Sequence, residues 1–325
     1  MPIRTLRIRN FKSLKDLTLD CKRVNLIIGE PNTGKSNILE TLGMLSQACY
    51  GRIHSFVRLE VMTDLFYDHI VDNSISIEFD GNNFLIRSSE GIFSGEYMEK
   101  SSQGMRGRSA FQYNYDAQGS VWTMHALRAF KFYRFVKLPS FQNPKSEFLQ
   151  PPDGDNLIAV IRGNKRLREV ISQIFDKFGY KVLFRVEKGE IEVQKESEDI
   201  LISFPYSLAS ETLQRLVFYL AAIYSNRDSI LAFEEPEAHA FPYYTKYLAE
   251  RIALDENNNQ YFIATHNPYF LTAILEKTPK EEVQVFATSL DNYQTKVRAL
   301  TEANKKEILS DMGYDIFFNI KDFLG

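Results

Sequence analysis

The sequence predicts an α/β fold, and three adjoining stretches carry the prediction. Val24-Asn25-Leu26-Ile27-Ile28 is nearly continuous apolar sequence, the pattern of a strand buried on both faces of a parallel sheet. Gly29-Glu30-Pro31-Asn32-Thr33-Gly34-Lys35-Ser36 follows directly and fits G-x-x-x-x-G-K-[ST]. Glycines in such a loop let successive backbone N–H groups turn towards phosphate oxygens. Beyond it, Ile38, Leu42, Leu45 and Cys49 recur at helical spacing, with Leu39 beside them. Strand, glycine-rich loop and helix, in that order, are the setting the motif requires.

The chain has 325 residues, enough for one large domain or two lobes with a sizeable core. A net charge of −3 argues against a generally basic surface for nucleic acid and leaves only local patches. Cys21 and Cys49 stand far apart without metal-type spacing, which fits a reduced, cytoplasmic compartment. No apolar signal core and no run of membrane-spanning length is visible, so no membrane is expected.

Taken in order, Ile3 to Phe11 reads as an edge strand with basic residues on one face, and Leu17 and Leu19 mark a second strand. Ile75, Ile77 and Phe79, a turn at Gly81-Asn82-Asn83, and Phe84-Leu85-Ile86 predict a hairpin. The Ser-, Gly- and Gln-rich stretch from Ser89 to Ser120 predicts an exposed loop. Asp155 is expected to cap a helix through Leu157, Val160 and Ile161, and a second helix carries Leu167, Val170, Ile171, Ile174 and Phe175. A hairpin follows, with Val182, Phe184 and Val186 turning at Lys188-Gly189 into Ile191 and Val193. A helix from Glu211 then precedes two buried strands, Ile230 to Phe233 and Tyr261 to Ala264. A hairpin around Asp291-Asn292 and a short helix from Glu302 end the series.

The loop motif assigns Lys35 to the β- and γ-phosphates and the Ser36 hydroxyl to Mg²⁺, with the next helix aiming its positive end at the anion. The nucleotide-binding set is therefore Gly29, Glu30, Pro31, Asn32, Thr33, Gly34, Lys35, Ser36 and Asn37. Glu234-Glu235-Pro236 follows an apolar strand directly. Glu234 fits the metal-side acid, and Glu235 the general base that takes a proton from the attacking water. His266, at the end of the second strand, is placed to contact the γ-phosphate or that water. His239 reads as an interface or surface residue, and His54, His69 and His125 as structural.

Taken together, Gly29–Ser36, Ile230–Pro236 with Glu237-Ala238-His239, and Ala264–Pro268 resemble the ABC-type ATPases of the SMC, RecF and OLD group. The opening Leu6-Arg7-Ile8-Arg9-Asn10-Phe11-Lys12-Ser13 is similar to that group's first strand. The closest resemblance is to compact bacterial OLD-like AAA family ATPases, and it covers Met1 to about Tyr50 and about Ser203 to Leu275. It implies a P-loop NTPase, ABC-ATPase-like head with a mixed helical and hairpin lobe. The expected division is 1–90 plus 200–325 for the head and 91–199 for an inserted lobe.

The resemblance further implies ATP and Mg²⁺ as cofactors, and a dimer holding two ATPs between heads. Ser207 to Arg215 then occupies the signature position, with Ser210 facing the γ-phosphate of the other subunit. That segment has no glycine and carries Glu211 instead. Gln142 is the first choice for the family's Q-loop glutamine, ahead of Gln103, Gln112 and Gln118. About fifty residues follow Leu275, too few for a Toprim nuclease domain, so the resemblance points to a separately encoded effector in DNA repair or phage defence. The other reading is a slow, ATP-gated regulatory scaffold. A guanine-reading Asn-Lys-x-Asp motif is absent from the sequence. Nucleic acid has only the basic clusters Arg162, Lys165, Arg166, Arg168 and Arg106, Arg108, and the aromatic run Phe130 to Phe135, in its favour.

Overall fold

The computed structural model describes residues 2–102, 104–198, 200–310, 316–317 and 320–323. Its central sheet has six strands in the order Gln294–Ala299, Val283–Asp291, Val24–Gly29, Gln260–Ala264, Ile230–Glu234, Phe130–Tyr133. Every neighbouring pair is parallel except the terminal hairpin 283–299. Val24, Leu26 and Ile28 enter one core and Ile27 the other, which is why the strand reads as unbroken apolar sequence. Each such side chain contributes roughly 1.5–3 kcal/mol by leaving water. The polar residue in that run, Asn25, is fully buried and donates to the carbonyls of Lys22 and Tyr261.

The helix Lys35–Tyr50 lies between this sheet and a second, antiparallel one, sharing a core with residues of both. The second sheet runs in the order Leu14–Asp20, Thr5–Phe11, Ile75–Phe79, Asn82–Ser89, Ile92–Ser101, Gly104–Tyr113, Gly119–Val121. On the other face of the central sheet pack the helices Leu157–Gly163, Lys165–Asp176, Glu211–Ser225, Pro242–Ala253 and Pro268–Lys277. A separate three-stranded sheet comprises Tyr180–Arg185, Glu190–Ser197 and Ile200–Pro205.

Three expectations are corrected. The first strand, Thr5–Phe11, is not an edge strand, because Leu14–Asp20 and Ile75–Phe79 pair on its two sides. Its arginines lie over the sheet instead, Arg7 on Asp16 and Arg9 on Glu78. The stretch from Ser89 to Ser120 is largely strand rather than loop. Phe93 and Tyr97 alternate inwards there, and an added Cβ on Gly95 would lie 2.3 Å from the Phe111 ring, so glycine makes room for packing. Asp155 does not cap the following helix; the capping position is Asn156, and Asp155 accepts from the Asn143 amide.

The expected boundary at residue 90 falls inside a hairpin of the antiparallel sheet, and Phe130–Tyr133 pairs with the central sheet. Strand pairing links Ile92–Ser101 and Gly104–Tyr113 to the antiparallel sheet and Phe130–Tyr133 to the central one. The aromatic run belongs to the core, since Phe130, Lys131, Phe132 and Tyr133 are all buried. Of the basic clusters, Arg166 lies over the Tyr224 ring, Arg168 caps carbonyls of its own helical region, and Arg108 lies near Glu99.

Candidate active site

The parallel strands deliver their C-terminal ends side by side. Glu234 pairs beside Ala264, and Ala264 beside Ile27, two residues before the glycine-rich loop. Ligands of open α/β sheets bind at this edge. The loop itself is braced by the terminal hairpin. Thr33 and Thr288 share a hydroxyl contact of 2.6 Å, as do Ser13 and Thr295. Gly34 has φ +91°, and an added Cβ would lie 2.1 Å from Thr295 Oγ1, so backbone conformation and space both demand glycine.

Lys35 Nζ rests on the loop's own carbonyls, 2.9 Å from Gly29 O and 2.8 Å from Glu30 O. Burial lowers its pKa from the ordinary lysine value, and the nearby Glu235 charge opposes that shift. Among the described residues the partly buried Ser36 hydroxyl has no hydrogen-bond partner, which leaves it free for a metal. Asn37, expected among the nucleotide contacts, instead donates to Ser13 Oγ at 2.8 Å. The exposed Glu30, Pro31 and Asn32 form the loop's outer turn, where Asn32 takes a positive φ of 63°.

Glu235 and His266 meet, with His266 Nδ1 3.1 Å from Glu235 Oε1. Glu235 holds a left-handed backbone (φ 44°), and its N–H donates to Ala264 O at 3.0 Å. Left-handed backbone at a non-glycine residue is strained and is held by its surroundings. The result is a carboxylate fixed at the strand ends with one oxygen engaged by an imidazole. Glu234 is engaged too. Arg134 Nη2 lies 3.2 Å from its Oε2, and Arg58 Nη2 3.7 Å from its Oε1.

Oxygen donors from Ser36 and Glu234 suit a hard cation such as Mg²⁺. Among the described residues no cluster of three His, Cys, Asp or Glu side chains forms a metal cage, so a metal here would take its other ligands from phosphate and water.

Ser210 does not join this group. It caps its own helix, accepting from Leu213 N at 3.4 Å. Glu211 beside it stays ionised but paired, because hydrogen bonds from Arg215 and Lys137 hold its carboxyl down to about 2. The helix start is also tied to the turn after Glu235, since Thr212 Oγ1 donates to His239 O at 2.7 Å. His239 itself is exposed.

Sequence reasoning missed Arg134, Arg58 and Glu40. Arg134 follows the strand Phe130–Tyr133 as Glu234 ends its neighbour, and that strand-end position was the available signal. None of the described glutamine candidates stands there. Gln142 packs against Gly189, Gln112 and Gln118 belong to the antiparallel sheet and its turn, and Gln103 lies outside the described residues.

Glu237 was also passed over. It is buried, receives the Thr265 hydroxyl on Oε1, and leaves Oε2 without a partner. Burial pushes its pKa up to about 7. Folded protein therefore binds a proton that the unfolded chain releases near the ordinary carboxyl value. The stability this proton gives is full below that value and is lost as pH rises towards about 7. Glu237→Gln is expected to flatten this slope, matching wild type at pH 5 and gaining about 1–3 kcal/mol at pH 8. Denaturant melts at the two pH values check it.

Residues 1–202 match the AAA ATPase domain, more than half of the chain. The chain belongs to this family. The ATPase is thus an ATP-hydrolysing enzyme, and the matched stretch includes the phosphate loop and the middle third but ends before Glu234. Among solved structures, the ATPase is similar to an Smc head bound to the C-winged helix domain of ScpA, at 14% identity and TM-score 0.59, over 94% of this chain and 100% of that one. It is also similar to the Pyrococcus furiosus Smc head with an extended coiled coil bound to the C-terminal domain of ScpA, at 13% identity and TM-score 0.54, over 95% and 99%. At such identity the match defines the fold alone, that of an SMC head. No curated protein is significantly similar to the ATPase in sequence. Among the described residues no helix is long and apolar enough to cross a membrane.

Proposed function

We propose that the ATPase is a cytoplasmic OLD-like ABC-type subunit that dimerises around Mg-ATP and controls a separately encoded effector in DNA repair or phage defence. The observation that carries the catalytic part is the pairing of Glu235 with His266 at the strand ends beside the phosphate loop. Lys35 binds the β- and γ-phosphates once it leaves the carbonyls of Gly29 and Glu30. Ser36 and Glu234 hold Mg²⁺, which neutralises phosphate charge when bound. Glu235 accepts the proton of the attacking water on its free oxygen, while His266 fixes the other oxygen. Asn37 serves by holding the loop to Ser13.

Dimerisation is favoured by the surface around Ser210. Leu208 (72% exposed) precedes a helix start whose acid is already paired with two cations, and Phe241 (70% exposed) follows the turn tied to that start through Thr212 and His239. That leaves a positive helix end and apolar side chains open to a second copy. The inserted lobe, expected over 91–199, is supported by the separate three-stranded sheet. An effector is suggested by the similar Smc heads, whose structures hold a domain of another protein. The glycine-free segment Ser207 to Arg215 favours the second reading, a slowly turning ATP-gated scaffold.

The test is light scattering with size exclusion on Glu235→Gln with and without Mg-ATP. A mass near twice 37.7 kDa is expected only with nucleotide. Monomer at saturating nucleotide sinks the dimer, and genomic neighbours lacking any candidate effector weaken the rest.

A further inference from the structure

Three cations and two carboxylates meet beside the phosphate loop, and one of the carboxylates has no exposure to solvent. Glu40, on the helix Lys35–Tyr50, has a fully buried side chain. It accepts from Arg58 Nε at 2.6 Å, lies 3.5 Å from Arg134 Nη2, and pairs with Lys12 Nζ. Arg134 and Arg58 are the same two residues that engage Glu234. Glu40 and Glu234 therefore draw on one set of guanidinium groups. Glu40 faces no solvent, so it cannot exchange these cations for water; an unpaired buried charge is strongly unfavourable. Glu234 is partly exposed and can exchange them.

We propose that Glu40 is a positioning residue that sets how tightly Arg134 and Arg58 hold Glu234, and so how readily Glu234 gives up its arginines for a divalent cation. The inference rests on the reading of Glu234 as the metal-side acid. Its sign follows from charge. Neutralising Glu40 leaves both arginines to Glu234 alone, which strengthens their competition with metal. Removing the Arg134 charge weakens that competition.

Mn²⁺ binding, read by electron paramagnetic resonance, tests this on the full chain with a fixed amount of a non-hydrolysable ATP analogue. Arg134→Gln is expected to lower the Mn²⁺ half-saturation point about three- to tenfold, and Glu40→Gln to raise it by a similar factor. The double variant should return towards wild type. A half-point that Arg134→Gln leaves unchanged, or raises, overturns the proposal. If Glu40→Gln fails to fold, Arg134→Gln and Arg58→Gln decide the matter, since both should shift the half-point down. A merely structural Glu40 would lower the melting temperature without giving opposite metal shifts that cancel in the double variant. Glu234→Gln separates the two layers. If it leaves Mn²⁺ binding unmoved, the metal assignment itself is wrong. If it weakens Mn²⁺ binding while Arg134→Gln does not tighten it, only the Glu40 inference falls.

Discussion

Glu235→Gln is expected to cut ATP turnover by about 100- to 10,000-fold while leaving nucleotide affinity within about threefold. At 1.36 kcal/mol per factor of ten, this is about 3–5 kcal/mol of barrier. The amide keeps the size and the His266 contact but cannot take a proton. Single-turnover hydrolysis beside an affinity titration checks it. Equal, slow rates in wild type and variant would remove the general-base role and favour the regulatory scaffold.

Lys35→Ala should act on the other half of the cycle. Hydrogen bonds to charged groups contribute about 1.5–3 kcal/mol each, so losing two from phosphate weakens Mg-ATP binding on the order of 100- to 10,000-fold. The variant also loses the ammonium that now bridges Gly29 O and Glu30 O. Calorimetric titration with ATP reads the loss directly. Binding that survives intact would mean that backbone N–H groups alone hold the phosphates. The two variants thus divide grip from cleavage: one weakens binding, the other only turnover.

Much of the central sheet was legible because parallel strands covered on both faces leave continuous apolar sequence, as in Val24 to Ile28 and Tyr261 to Ala264. The loop was legible because its chemistry demands particular residues at fixed spacing. The strands Ile92–Ser101 and Gly104–Tyr113 were not legible, because their exposed faces carry Ser, Gly and Arg and so read as loop. Arg134 and Glu40 escaped for another reason. Arg134 meets Glu234 across 100 positions of chain and Glu40 across 94, and no local pattern encodes that. Glu211 looked hostile to phosphate until Lys137, 74 residues earlier, was found on its carboxylate.

The strand that leads into the phosphate loop is made within the first thirty residues, yet both of its neighbours, Gln260–Ala264 and Val283–Asp291, come from the last quarter of the chain. On the ribosome, the loop is therefore synthesised long before the two strands that flank it. Thr288 and Thr295, which hold Thr33 and Ser13, emerge last among its contacts. Closing such distant pairs is slow, and an apolar strand with two open edges invites wrong pairing while it waits. Nascent chains stopped before residue 260 should carry the complete motif and fail to retain nucleotide.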